Sequence, residues 1–194
     1  MSTAEGIGRR GLLRVLFSGA GLALSKGTNE MIHALGSVRR LTEISGNPFE
    51  DVVAAFEAAI GHPDMGELLN AIGAAKTNVE MEGIVHGALG KSGFMQFARF
   101  DLGAVVRKET GLQTPKIVRY LVGNPLIMRE MVKRVPDAGS YAPVTVLIDE
   151  RSDGVHLSYD LVASLLESYG NSEAIRVARD LDAKVESLLK QAAA

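Results

Sequence analysis

The sequence predicts an α+β fold: a two-layer sandwich whose mainly antiparallel sheet, of about 4–5 strands, is backed by helices, with a helical N-terminal extension. Three observations predict it. Short apolar runs of strand length alternate with stretches that repeat apolar residues at helical spacing. Helix-start signals recur, including Asn47-Pro48 and Asn124-Pro125. Val144–Ile148 and Val155–Tyr159 flank a turn rich in Asp, Ser and Gly, which reads as a β-hairpin and so as antiparallel pairing.

Arg39 to Ser45 reads as the first strand. Asn47 is then placed to cap a helix with Pro48 as its first residue, and Phe49, Val52, Val53, Phe56 and Ile60 mark its apolar face. Gly61-His62-Pro63 ends it. Asp64 can cap the segment 65–89, which Gly73, Thr77 and Gly83 weaken enough to break it in two. Phe94 to Phe100 is a strand, and Asp101 caps a short helix that Gly111 terminates. Lys116 to Val122 is a strand, and Asn124-Pro125 opens a helix to about Arg134. After a Pro- and Gly-bearing loop, 135–143, comes the hairpin with its turn at 149–153. The end is helical, Leu161 to about Tyr169 and then Ser172 to Gln191, with Ser172 as the expected cap.

Two domains are drawn: residues 1–38 as a basic, apolar N-terminal segment, and 39–194 as one α+β domain carrying a helical insertion at about 61–90 and a C-terminal helix at about 172–191. Charge supports the division. Residues 1–40 carry a net of +4, and the remaining 154 carry −6. The head reads Gly8-Arg9-Arg10-Gly11-Leu12-Leu13-Arg14 and continues through uncharged residues to Ser25, which resembles a twin-arginine export signal. The same residues fit an amphipathic helix in which Leu12 and Leu16, or Leu13 and Phe17, share a face. Arg9, Arg10, Leu12, Leu13, Leu16 and Phe17 are therefore expected to meet a membrane surface, through residues 8–25, or a partner. A cell-envelope location follows, periplasmic or membrane-attached, with the cytoplasm as the alternative.

Composition excludes several classes. The chain has no Cys, which removes disulfides, thiolate zinc sites, Cys-ligated iron–sulfur clusters and a Cys nucleophile. Aromatic residues are 5% with no Trp, and the net charge is −2, so no nucleic-acid partner is expected. The P-loop, the dinucleotide fingerprint and the Gly-x-Ser-x-Gly elbow are absent from the sequence.

The strands carry apolar residues on both faces. Val144, Val146 and Ile148 oppose Thr145 and Leu147, and Val118, Tyr120 and Val122 oppose Ile117 and Leu121. Both faces therefore want cover, from the chain's own helices, a second subunit or a lipophilic ligand. Tyr120 and Leu147 are expected on such an interaction surface.

The runs Tyr120-Leu-Val-Gly-Asn-Pro-Leu-Ile-Met128, Pro136-Asp-Ala-Gly-Ser-Tyr-Ala-Pro143, Val144-Thr-Val-Leu-Ile-Asp-Glu150 and Gly154-Val-His-Leu-Ser-Tyr159 together resemble a bacterial and archaeal family, domain of unknown function 302. The resemblance covers roughly 39–166, most firmly 115–166. It implies a small α+β sandwich, often a homodimer, and no established activity. The chain departs from that pattern by inserting about 30 residues at 61–90 and by having Asp160-Leu161-Val162 where a Pro often follows the last strand. What is particular to this member is expected in the head, the insertion and the C-terminal helix.

Candidate chemistry is sparse. Asn124 is a helix cap in the simplest reading; in a functional one, the backbone N–H groups after Gly123 bind an anion beside Arg129. His156 sits beside Ser158 and near Asp149 and Glu150, as a proton-transfer site or as a hairpin His in polar surroundings. Glu82 and His86 share a helix face, and Met81, like Met65, Met95, Met128 and Met131, could join a His on a noncovalent haem or simply fill core. No metal site is expected, and no cofactor is named. The reading as a whole is a non-catalytic binding or interaction module, self-associating as a homodimer or attached to a larger envelope assembly through its N-terminal helix. The alternative is a small-molecule binding protein for a lipophile or haem, and the third reading is an enzyme of unknown reaction.

Overall fold

The computed structural model describes residues 37–113 and 115–194. The expectations for residues 1–36, including Arg9, Arg10, Leu12, Leu13, Leu16 and Phe17, lie outside the described residues. Among the described residues no helix is long and apolar enough to cross a membrane.

The elements follow in the order β1 (Arg40–Ser45), α1 (Phe49–Ala59), α2 (Met65–Ala74), α3 (Asn78–Ala88), β2 (Met95–Asp101), α4 (Leu102–Thr110), β3 (Ile117–Gly123), α5 (Pro125–Val132), a 3₁₀ turn (Pro136–Tyr141), β4 (Val144–Arg151), β5 (Gly154–Asp160), α6 (Val162–Leu166) and α7 (Ser172–Ala193). The five strands form one sheet in the order β1-β5-β4-β3-β2, with every pair antiparallel. The expected α+β sandwich is the observed architecture. Sheet order was not written locally, because β1 reaches across the chain to pair with β5, Leu41 opposite Tyr159.

The capping residues explain most element boundaries. Asp64 accepts from Glu67 N at 2.8 Å and Asp101 from Ala104 N at 2.8 Å, and Gly111 ends α4 in the left-handed region at φ 70°. The 65–89 segment does break in two: Thr77 and Glu80 form a reciprocal capping box that starts α3 afresh. Two caps differ from expectation. Pro48 itself is the N-cap of α1, and Asn47 makes no cap bond, its N–H donating to Ser45 Oγ instead. Asn171 rather than Ser172 caps α7, accepting from Ala174 N at 3.0 Å. Strand β4 runs on to Arg151, so the hairpin turn shrinks to Ser152 and Asp153, and Gly154 takes φ 136°.

One face of the sheet supplies the core. Val118, Tyr120, Val146, Ile148, Leu157 and Tyr159 are buried against α1, α6 and α7. The C-terminal helix is the main lid, with Leu181, Val185, Leu188 and Leu189 buried along one stripe. A smaller cluster, Leu68, Val85 and Met95 with Leu126 against it, holds the α2–α3 hairpin. The ends of that hairpin are stitched together: Gly61 N and Gly90 N both donate to Phe94 O at 2.9 Å.

Candidate functional site

Strand register sorts the opposite face. Arg119 stands opposite Leu147 and Phe100, Leu147 opposite Ser158, and Ser158 opposite Thr42. No described helix lies across the middle of this face, and Thr42, Ile44, Thr145 and Phe100 on it are exposed. Among the described residues, helices cover the other face, while Asp149, His156 and Ser158 on this one are buried. The second face is more polar than Thr145 and Leu147 suggested, because β1 and β5 contribute Arg40, Thr42, His156, Ser158 and Asp160 to it.

Most charges on this free face are internally paired. Arg40 grips Asp160 through Nε and Nη2 at 2.6 and 3.0 Å, and Arg151 holds Asp149. Arg119 is different. Among the described residues its side chain makes no hydrogen bond or ion pair, and its Nε is shielded from solvent without an acceptor. Its guanidinium lies over the Phe100 ring, 5.0 Å from the centroid. A groove of about 420 Å³ runs beside it, lined among others by Leu102, Tyr141, Thr145, Leu147, Ser158 and Leu165.

The free face ends at an apolar ridge. Phe100, Leu102, Val105 and Leu112 are four of the nine exposed large apolar side chains among the described residues, gathered within 13 positions. Val105 is 72% and Leu112 61% exposed. Helix α4 carries Leu102 and Val105 one turn apart, away from Gly103, which packs so tightly that a Cβ there would meet Ile117 N at 2.8 Å. The strand that leads into this helix, β2, is one of the two edge strands of the sheet.

On the helix side, a cleft of about 460 Å³ lies between α1, β2, β3 and α4. Its three cations each hold a carboxylate: Arg99 to Glu57 at 3.0 Å, Arg107 to Asp101 at 2.9 Å and Lys116 to Glu50 at 2.6 Å. Tyr120 OH donates to Glu57 at 2.6 Å. Burial, and then the Glu57 carboxylate, push the Tyr120 hydroxyl well above the usual tyrosine range. Cation and anion are matched here, so the cleft carries no net charge toward a ligand.

The residues expected from sequence fall in several places. Tyr120 is fully buried in the helix layer, not on an interaction surface, because β3 alternation turns it toward α1. Leu147 does lie on the free face, in the groove beside Arg119. Asn124 acts as a cap, accepting from Leu126 N at 2.9 Å, and donates to Gly93 O at 3.0 Å. Arg129 is held by Asn78 at 2.7 Å, Glu82 at 3.0 Å and Glu130 at 3.1 Å. Asn124, Arg129 and His86 line one groove with α7, whereas Met81 packs against the small cluster around Val85. His156 is buried on the free face, its Nε2 2.9 Å from Asp153 Oδ1 and its Nδ1 without a partner. Glu82, expected to face His86, bonds Asn78 and Arg129. Among the described residues, no group of three or more His, Asp or Glu is arranged to hold a metal ion. Arg119, Phe100, Leu102 and Val105 were missed. Arg119 has the same strand parity as Ile117 and Leu121, which was readable, but its lack of a partner depends on the sheet order.

Several surface carboxylates titrate below their ordinary range. Hydrogen bonds from Lys116 to Glu50, Asn78 and Arg129 to Glu82, Lys133 and Arg129 to Glu130, and His156 to Asp153 favour the ionised forms. Each such group adds stability above its unfolded pKa and loses that contribution as pH falls through its lower folded value. The melting temperature is therefore expected to fall as pH drops below about 4.5, with a shallower fall in high salt because the pairs are exposed. A melting temperature that held constant from neutral pH to pH 3 would contradict these pairings.

Comparison with known proteins gives one family. The model described as domain of unknown function DUF302 matches residues 76–192. A solved structure, the crystal structure of an uncharacterized conserved protein DUF302 from Bacillus stearothermophilus, is similar in fold, with a TM-score of 0.54. It is 14% identical, and the likeness covers 79% of this chain and 97% of that one. No curated protein matches the chain. The family match spans the chain from just before α3 to nearly the end of α7. β1 and α1, which the resemblance over 39–166 had included, precede it.

Proposed function

The chain belongs to the DUF302 family, and from that premise we propose that it is a non-catalytic interaction module that self-associates through the apolar ridge of β2 and α4. The observation that carries this reading is the gathering of Phe100, Leu102, Val105 and Leu112 on the surface. An exposed cluster of this kind beside an edge strand, which Gly61 bridges only at its start, is a liability unless it is covered. A second copy suits it for two reasons. An isologous contact sets the same patch against itself, and an apolar ridge complements itself. The exposed charges beside it, Lys108 and Glu109, have opposite signs and leave no net repulsion between copies.

Val105→Asp tests the reading. Val105 is mostly solvent-exposed, so the substitution costs the fold only about 0.5 kcal/mol in helix propensity. Light scattering on the full chain is expected to give a dimer for the wild type and a monomer for the variant at the same concentration. A wild-type monomer, or an unchanged mass for Val105→Asp, would overturn the proposal.

A further inference from the structure

We propose that the groove on the free sheet face binds a small organic carboxylate with an apolar body, its head held by Arg119 and its body lying over Leu147 and Leu102. The site is formed within one chain and does not depend on self-association, although Leu102 stands where groove and ridge meet.

The chemistry of the head follows from Arg119. Its side chain is half-buried, its Nε is shielded from solvent without an acceptor, and among the described residues no group accepts from the guanidinium. A buried or half-buried donor set without an acceptor is costly, which favours whatever brings one. The Phe100 ring, its centroid 5.0 Å from the guanidinium carbon, covers the head group from one side. The N–H groups of a guanidinium lie in its own plane, so acceptors meet it there, as the two oxygens of a carboxylate do. On the same face Arg40 is already satisfied in this way by Asp160.

Charge limits the head to one negative unit. The groove's other charged residues, Arg40 and Asp160, cancel, so Arg119 leaves a charge of +1. A monoanion neutralises it, whereas a dianion would leave an excess of negative charge beside Asp160. The body of the ligand follows from the walls: Leu102, Leu147 and Leu165 are apolar, and Thr145, Ser158 and Tyr141 leave polar groups at the margins. Ser158 is engaged with Thr42 at 3.2 Å and Tyr141 with Tyr169 at 3.2 Å, so neither competes for the head group. A volume of about 420 Å³ lies within the range of small-molecule sites.

Titration calorimetry of the full chain with decanoate and with decanol is the test, with the oligomeric state measured on the same samples. The wild type is expected to bind decanoate at least tenfold more tightly than decanol. Arg119→Gln is expected to lose at least tenfold in decanoate affinity while its decanol affinity stays within twofold, and Arg119→Lys to retain part of the preference. The decanol arm shows that the groove is still folded in the variants. Absence of decanoate binding by the wild type, no preference over decanol, or equal decanoate affinity in Arg119→Gln would each overturn the proposal, whether the protein is a monomer or a dimer.

Discussion

Asp182→Ala is expected to remove about 3 kcal/mol or more of folding stability, because it strips three buried donors of their acceptor at once. Asp182 Oδ1 accepts from Tyr159 OH at 2.6 Å and from Val162 N at 2.9 Å, and its Oδ2 accepts from Ala163 N at 3.0 Å. One carboxylate on α7 therefore satisfies the N-terminus of α6 and the end of β5 together. No side chain of α6's own N-cap, Leu161, can do this. Asp182→Asn keeps an acceptor for Tyr159 and Val162 but turns an amide toward Ala163 N, so an intermediate loss is expected. Burial outweighs the three hydrogen bonds and raises the Asp182 pKa above its ordinary value. The folded state thus holds this proton more tightly than the unfolded one. The proton-linked part of its contribution is lost as pH rises through the folded pKa, opposite in sign to that of Glu50, Glu82 and Glu130, while its three acceptor bonds remain. Urea unfolding at neutral pH measures both variants, and a loss below about 1 kcal/mol for Asp182→Ala would show that the junction is not sealed by this residue.

Gly90→Ala is expected to cost a comparable amount, roughly 3 kcal/mol, for a steric reason. A Cβ at Gly90 would sit 2.2 Å from Ile60 C, 2.5 Å from Gly61 N and 2.6 Å from Ala59 O. All three are backbone atoms, which cannot turn aside as a side chain can. Gly61 is under the same constraint, with Ala88 O only 2.0 Å from its built Cβ. These two glycines let the entry and exit of the α2–α3 hairpin touch where both donate to Phe94 O. Gly87→Ala is the control: nothing lies within 4 Å of its Cβ, and within α3 the change is expected to stabilise by about 0.5–1 kcal/mol. Thermal and urea unfolding of the pair would separate a steric role from a general glycine effect. Equal stability of Gly90→Ala and Gly87→Ala would contradict the stitched geometry.

Local chemistry carried most of the fold. The Asp64 and Asp101 caps, the Gly111 stop, the second Asn-Pro start and the hairpin are each encoded within a few residues and lie where the sequence places them. Cap register was less legible. Asn47 was expected to cap and does not, whereas Asn171, one residue before the expected Ser172, turns the same kind of side chain onto its helix. Pairing across long separations was not legible at all, because nothing near Arg40–Ser45 states that its partner is β5. The candidate site suffered from this more than the fold did. Tyr120 reads as an apolar strand residue until β3 is placed under α1, where Glu57 takes its hydroxyl. Arg119 reads as an ordinary strand arginine until the order β4-β3-β2 leaves it over Phe100 with no acceptor for its Nε among the described residues. Val105 reads as part of a short helix until that helix is found at the sheet edge with its apolar side outward.

Self-association through the β2–α4 ridge is tested most directly by amide hydrogen exchange of the full chain at low and high protein concentration. Amides of α4 and of the outer edge of β2 are expected to exchange more slowly in the concentrated sample, while β4 and β5, already central in the sheet, keep the same rates. Exchange in α4 and β2 that does not change with concentration, in a protein whose mass stays that of one chain, would contradict the account.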